Sequence, residues 1–140
     1  MSASQNSPAG PTLDQQRAAH AWRVVQDAKQ KTGVHAKQNF EEFRGQAKKL
    51  PVRIMASGLG QALAFLKAKG YAPGLIDALS NWVAQRMGPD KNTPTDLLER
   101  IIGGNADFLR RATDEVLAYL QWLNRFAEPE KLVDDEGGDS

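Results

Sequence analysis

The sequence predicts an all-α chain, a single-domain bundle of about six helices. Composition is the first reason: 14 Leu and 19 Ala stand against only 7 Val and 4 Ile, an excess of helix formers over β-branched residues. Apolar residues recurring at three- and four-residue spacing are the second. Punctuation is the third, because Gly33, Pro51, Gly70, Gly88-Pro89 and Gly103-Gly104 divide the chain into segments of helix length. At 140 residues the chain can bury one core and is too short for two comfortable ones.

Residues 1–11 carry no charge and little that could pack, which reads as a disordered lead-in. The helical domain is expected over 12–128, with an acidic flexible tail over 129–140. A first helix is predicted from Leu13 to about Lys31 with Thr12 as N-cap, Gln15 completing a capping box, and Gly33 beyond its end. Its core stripe would be Ala18, Ala21, Trp22, Val25 and Ala28. A second helix, from about Lys37 to Lys49, would bury Phe40, Phe43, Ala47 and Leu50 and stop at Pro51, which would open the next. The third, from about Val52 to Lys69, is the most apolar and is expected at the centre. Its buried arc would hold Ile54, Met55, Gly58, Leu59, Ala62, Leu63, Phe65 and Leu66, with Arg53, Ser57, Gly60, Ala64 and Lys67 opposite. A fourth helix covers Leu75 to Met87. A short fifth opens with Pro94 at its first position, and Leu97, Leu98, Ile101 and Ile102 pack it. The sixth runs from about Ala106 to Ala127.

The net charge of +1 conceals an uneven distribution. Residues 14–69 hold eleven Lys and Arg against four Asp and Glu, whereas residues 128–140 hold one Lys against six acids. A basic body suits a polyanionic partner, and solvated helix faces give the same arithmetic. Cysteine is absent, which excludes disulfides, thiolate metal sites and cysteine nucleophiles. The start of the chain lacks a signal-peptide pattern, and the most apolar stretch, Val52 to Leu66, is too short and too interrupted to span a bilayer. The expected location is the cytoplasm.

Few residues suggest chemistry. Gly58-Leu59-Gly60 lacks the third glycine and the preceding strand of a dinucleotide fingerprint, and no phosphate-loop Gly-Lys-Ser/Thr occurs. Ser57 lacks the flanking glycine pattern of a nucleophile elbow. His20 reads as the polar side of the first helix and His35 as part of a loop. Asp114 and Glu115 are adjacent and therefore diverge by about 100° on a helix. No catalytic residue, metal site or cofactor is expected.

Two surface features stand out. Lys48, Lys49, Arg53, Lys67 and Lys69 form a basic set, and on one continuous helix Arg53 and Lys67 would lie within about 40° of each other, roughly 21 Å apart along the axis. A strip with small residues between cations suits a phosphate backbone or a close protein surface. On the last helix, Leu117 is expected to project away from the core near Arg110, with Trp122 at the stripe's margin beside Arg111 and with Arg125 nearby. With Gly60, the residues Arg111, Leu117, Trp122 and Arg125 are the candidate partner interface.

Two blocks carry a family resemblance. One is Lys48-Lys49-Leu50-Pro51-Val52-Arg53-Ile54 followed by Ser57-Gly58-Leu59-Gly60-Gln61-Ala62-Leu63-Ala64-Phe65-Leu66-Lys67-Ala68-Lys69-Gly70. The other is Arg111-Ala112-Thr113 through Ala118-Tyr119-Leu120-Gln121-Trp122-Leu123-Asn124-Arg125-Phe126-Ala127. In these the chain resembles the small helical subunit, the fifth Cmr subunit, of the type III-B CRISPR Cmr complex, over residues 13–130. It departs at Ser57, where many members carry Asn, and at Asn124, where many carry a basic residue. The resemblance implies a non-catalytic subunit that stacks with neighbouring copies of itself beside the backbone and large subunits and lines the target-RNA channel. Lys48, Lys49, Arg53, Lys67 and Lys69 would then face the guide RNA–target RNA duplex. A free-standing helical adaptor between proteins is the alternative, and a small hydrolase is disfavoured because no nucleophile, base or metal cluster is found.

Overall fold

The computed structural model describes residues 9–89 and 92–129. Six helices follow in order: α1 (Leu13–Gln30), α2 (Ala36–Ser57), α3 (Leu59–Lys69), α4 (Pro73–Met87), α5 (Leu97–Gly103) and α6 (Ala106–Ala127). Among the described residues there is no strand, and no helix is long and apolar enough to cross a membrane. The lead-in expected over 1–11 and the tail over 129–140 lie largely outside the described residues.

The largest departure from expectation is at Pro51. It was expected to end the second helix, yet α2 continues through it to Ser57. Proline has no N–H, so the carbonyl four residues earlier, that of Ala47, lacks its helical donor. Asn124 of α6 supplies the replacement, its Nδ2 donating to the Ala47 carbonyl oxygen at 2.9 Å. Ala47 is fully buried, so an orphaned oxygen there would be costly.

The break falls at Gly58 instead, and the predicted third helix is thereby cut short. Gly58 donates to the Ile54 carbonyl at 2.8 Å, closing α2, and its own carbonyl accepts from Ala62 at 3.1 Å, opening α3. Its φ of 88° and ψ of 158° lie in a region essentially reserved for glycine. Gly58 was expected to permit tight packing on the apolar arc; it is exposed, and a Cβ there would meet nothing within 4 Å. Its conformation is what the chain requires.

Local signals read correctly elsewhere. Thr12 and Gln15 form the reciprocal capping box of α1. Gly70, at φ 69°, ends α3 in a Schellman arrangement, with Gly70 donating to the Lys67 carbonyl and Tyr71 to that of Leu66. The fifth helix opens later than expected, because Asp96 rather than a residue before Pro94 is its N-cap, accepting from the Glu99 N–H at 3.1 Å. Ser80 Oγ accepts from the Leu97 N–H at 2.9 Å and fastens α5 to α4.

Helix α6 packs along α1 and also against α2 and α4, burying Val116, Tyr119, Leu120 and Leu123. Polar groups run through this packing. Glu115, itself buried, accepts from Arg17 Nε at 2.5 Å, from Arg17 Nη2 at 3.1 Å and from Trp82 Nε1 at 2.9 Å. His20, expected on the polar side of α1, is buried between Asn81 and Tyr119, with ring nitrogens 2.7 Å from each partner. Asn81 Oδ1 can only accept, so Nε2 carries the proton and Nδ1 accepts from the Tyr119 hydroxyl. A charged His20 would reverse that second bond, its Nδ1–H donating to the Tyr119 oxygen, and the buried hydroxyl proton would then need another acceptor. Trp82 stacks on Tyr119 with centroids 5.7 Å apart, completing the joint of α1, α4 and α6.

This joint makes stability depend on acid. Burial holds the His20 imidazole below the ordinary value of 6.5, against the opposing Asn81 hydrogen bond. Burial raises Glu115, but its bonds to Arg17 and Trp82 prevail and hold it below the ordinary value of 4.5. Both folded values are depressed, so both contributions are present at neutral pH and fall on acidification. The His20 part starts to be lost below 6.5, where the unfolded chain takes up a proton that the folded chain refuses. One such proton limits the slope to about 1.4 kcal/mol per pH unit. In urea titrations, the wild type is expected to lose stability as the pH falls below 6.5, whereas His20→Gln starts less stable and shows a flatter dependence there. Parallel curves would contradict the assignment.

Candidate nucleic-acid interface

The five basic residues singled out in the sequence are distributed over α2 and α3. Lys48, Lys49 and Arg53 are on α2; Lys67 and Lys69 are on α3. The expected single strip from Arg53 to Lys67 on one helix is therefore corrected: the turn at Gly58 folds α3 back on α2. On a continuous helix Arg53 and Phe65 would be about 18 Å apart along the axis. The structure brings the Arg53 guanidinium to 4.4 Å from the Phe65 ring centroid.

Two settings result. Arg53 Nη1 donates to Gln46 Oε1 at 2.6 Å, and Lys69 Nζ lies 5.9 Å from the same Phe65 ring. Neither has a carboxylate partner among the described residues, nor do Lys48 and Lys49, which point to solvent. Lys67 differs. Its ammonium donates to Asp96 Oδ2 at 2.5 Å, so its charge is matched and it braces the α5 cap. That hydrogen bond raises the Lys67 pKa, and Asp96 is lowered although its partial burial opposes this. Lys67 is thus paired with a carboxylate, whereas among the described residues the other four basic residues are not.

The candidate partner residues also separate. Gly60 is partly buried beneath α5, where an added Cβ would stand 3.4 Å from Ile101 Cγ2, so its close neighbour belongs to the chain itself. Leu117, expected to project outward, is partly buried against the core. Trp122 is marginal as expected, with Nε1 donating to Asp14 Oδ1 at 3.0 Å. Arg111 and Arg125 are exposed and lie 4.0 Å from Asp107 and 3.4 Å from Glu128, respectively.

Other surface groups escaped the sequence reading. Trp22, expected in the core, is 51% exposed and meets Phe126 edge-on at 5.2 Å, while Trp122 lies 5.7 Å from Phe126. Met55 and Phe65, expected in a buried arc, are 78% and 37% exposed. Glu115 and His20 could suggest acid–base chemistry, but each is committed to hydrogen bonds within the α1–α4–α6 joint. Among the described residues no three His, Cys, Asp or Glu side chains are gathered to hold a metal ion.

The six helices place the chain in the class of small all-α domains, and similarity to known proteins narrows that class to a family. A family model described as CRISPR-associated protein (Cas_Cmr5) matches residues 13–130. The chain belongs to the Cmr5 family. The CRISPR system Cmr subunit Cmr5 of Thermus thermophilus is 40% identical over 90 residues, 62% of this chain and 73% of the relative. A crystal structure of a CRISPR-associated Cmr5 family protein, also from Thermus thermophilus, superposes with a TM-score of 0.65 at 32% identity, covering 84% of this chain and 96% of that one.

The two glycines at the α2–α3 turn yield a test of this geometry. Gly58→Ala is expected to destabilise by about 1–3 kcal/mol through backbone strain, although nothing crowds the new methyl. Gly60→Leu is expected to cost about 1–3 kcal/mol by displacing Ile101. Thermal melts would check both. A neutral Gly60→Leu would contradict its placement under α5.

Proposed function

We propose that the chain is a non-catalytic structural and RNA-binding subunit of a type III-B Cmr ribonucleoprotein in antiviral defence. The observation that carries this reading is membership of the Cmr5 family across 13–130, together with a relative named as a subunit of the Cmr system. In this reading the subunit works in the cytoplasm, contacts the backbone and large subunits and neighbouring copies of itself, and lines the channel of the guide RNA–target RNA duplex. Lys48, Lys49, Arg53 and Lys69 meet phosphates, because cations without a carboxylate partner release counterions when a polyanion binds. Lys67 contributes less, its charge being held by Asp96. The aromatic group of Trp22, Trp122 and Phe126, with Arg111 and Arg125 on the same helix as the last two, suits protein contact, where Trp and Arg are enriched. Leu117 lies on that same helix, α6, whereas Gly60 packs against Ile101 of α5 and is not part of this surface. The non-catalytic part of the reading is supported by the engagement of Glu115 and His20 in structural hydrogen bonds.

Purification of the chain from its native host is expected to bring down a ribonucleoprotein containing several Cmr subunits; recovery of the chain alone, or with unrelated proteins only, contradicts the proposal. In such complexes Lys48→Glu with Lys49→Glu should leave incorporation intact and weaken target-RNA binding. The slope of log affinity against log salt should fall by roughly one per cation removed. Full incorporation with unchanged affinity and slope would show that these lysines do not face RNA.

A further inference from the structure

We propose that Arg53, Phe65 and Lys69 form a stacking platform for one unpaired base of single-stranded RNA. The inference rests on the RNA-binding reading and adds to it a contact with the face of a base, where phosphate neutralisation alone would be blind to bases.

Phe65 leaves 37% of its surface in water on a helix whose other large apolar residues are fully buried, Leu59, Leu63 and Leu66. The ring is held in place from two sides. Tyr71 meets it at 6.1 Å with planes inclined 69°, and the Arg53 guanidinium lies 4.4 Å from its centroid. Arg53 is in turn fixed by its 2.6 Å hydrogen bond to the buried Gln46. An aromatic ring and a planar, weakly hydrated guanidinium fixed together are the two surfaces on which unpaired bases stack.

The surrounding charge selects a nucleic acid over an apolar ligand. Arg53 and Lys69 flank the ring without a carboxylate partner, and Lys49 lies one helical turn before Arg53. The nearby cation on α3, Lys67, is neutralised by Asp96, so unmatched positive charge is concentrated at Phe65. A base on the platform would have its neighbouring phosphates within reach of these side chains. Paired bases cannot offer a face, so the occupant is unpaired RNA and the contact tolerates any base.

The test uses the full chain at low salt with a ten-nucleotide single-stranded RNA and an abasic oligonucleotide of the same length and charge. Wild type is expected to bind the base-bearing strand at least about fivefold more tightly, as one stacked base provides. Phe65→Leu should reduce the preference to within about twofold, and Phe65→Trp should restore it, since only a flat ring stacks. Arg53→Lys, which keeps the charge and loses the plane, should lower the preference while retaining the salt dependence. Equal binding of both strands with a steep salt dependence would overturn the platform and leave the RNA-binding reading standing. A preference that survives Phe65→Leu would also overturn it. Absence of measurable binding to either strand would overturn the platform and count against the RNA-binding reading as well.

Discussion

The hydrogen bond from Asn124 to the Ala47 carbonyl is the contact on which the candidate interface depends. Pro51 removes the donor that the helix would have provided, and α6 returns one from outside. With that oxygen satisfied, α2 runs on to Ser57, and the turn is displaced to Gly58. Arg53 therefore sits on the last turns of a long helix, where α3 folding back brings Phe65 beneath it. If α2 ended at Pro51, Arg53 would begin a helix and face elsewhere. A single side-chain amide from the far end of the chain thus sets the position of a surface guanidinium.

Charges in this fold divide by whether they are matched. Arg17 and Glu115 pair inside the α1–α4–α6 joint, and Lys67 pairs with Asp96. Both pairs fix the orientation of helices. Lys48, Lys49, Arg53 and Lys69 have no carboxylate partner among the described residues and remain able to meet an external anion. This separation is more informative than net charge, because a helical surface can be basic on average while its cations are all committed. It also explains how neighbouring lysines on α3, two positions apart, come to have different roles.

What the sequence made legible was local. The capping box at Thr12, the glycine ending α3 and the apolar stripe of α6 involve residues within one or two turns of each other, so six helices and the family blocks could be read directly. The misreadings share a cause. The donor that rescues Pro51 lies 77 residues from the carbonyl it serves, and the partner of Lys67 lies 29 away. His20 is buried by residues 61 and 99 positions distant, which no wheel drawn for α1 alone can include. Placing the helix break at Pro51 rather than Gly58 then assigned Phe65 and Met55 to a buried arc and Arg53 to the wrong helix. Proline is ordinarily the better breaker, and here a tertiary hydrogen bond outweighs that preference.

The most direct test of this account is a double-mutant cycle between Asn124→Ala and Pro51→Ala, followed by urea unfolding. In the wild-type background, loss of the amide should cost about 1–3 kcal/mol because a buried carbonyl is left unpaired. The Pro51→Ala change restores the helical donor, so Asn124→Ala should cost less in that background by at least about 1 kcal/mol, with helix-propensity effects cancelling in the cycle. Costs equal in the two backgrounds to within about 0.5 kcal/mol would mean that Asn124 does not compensate for Pro51, and the account of how Arg53 reaches Phe65 would fail.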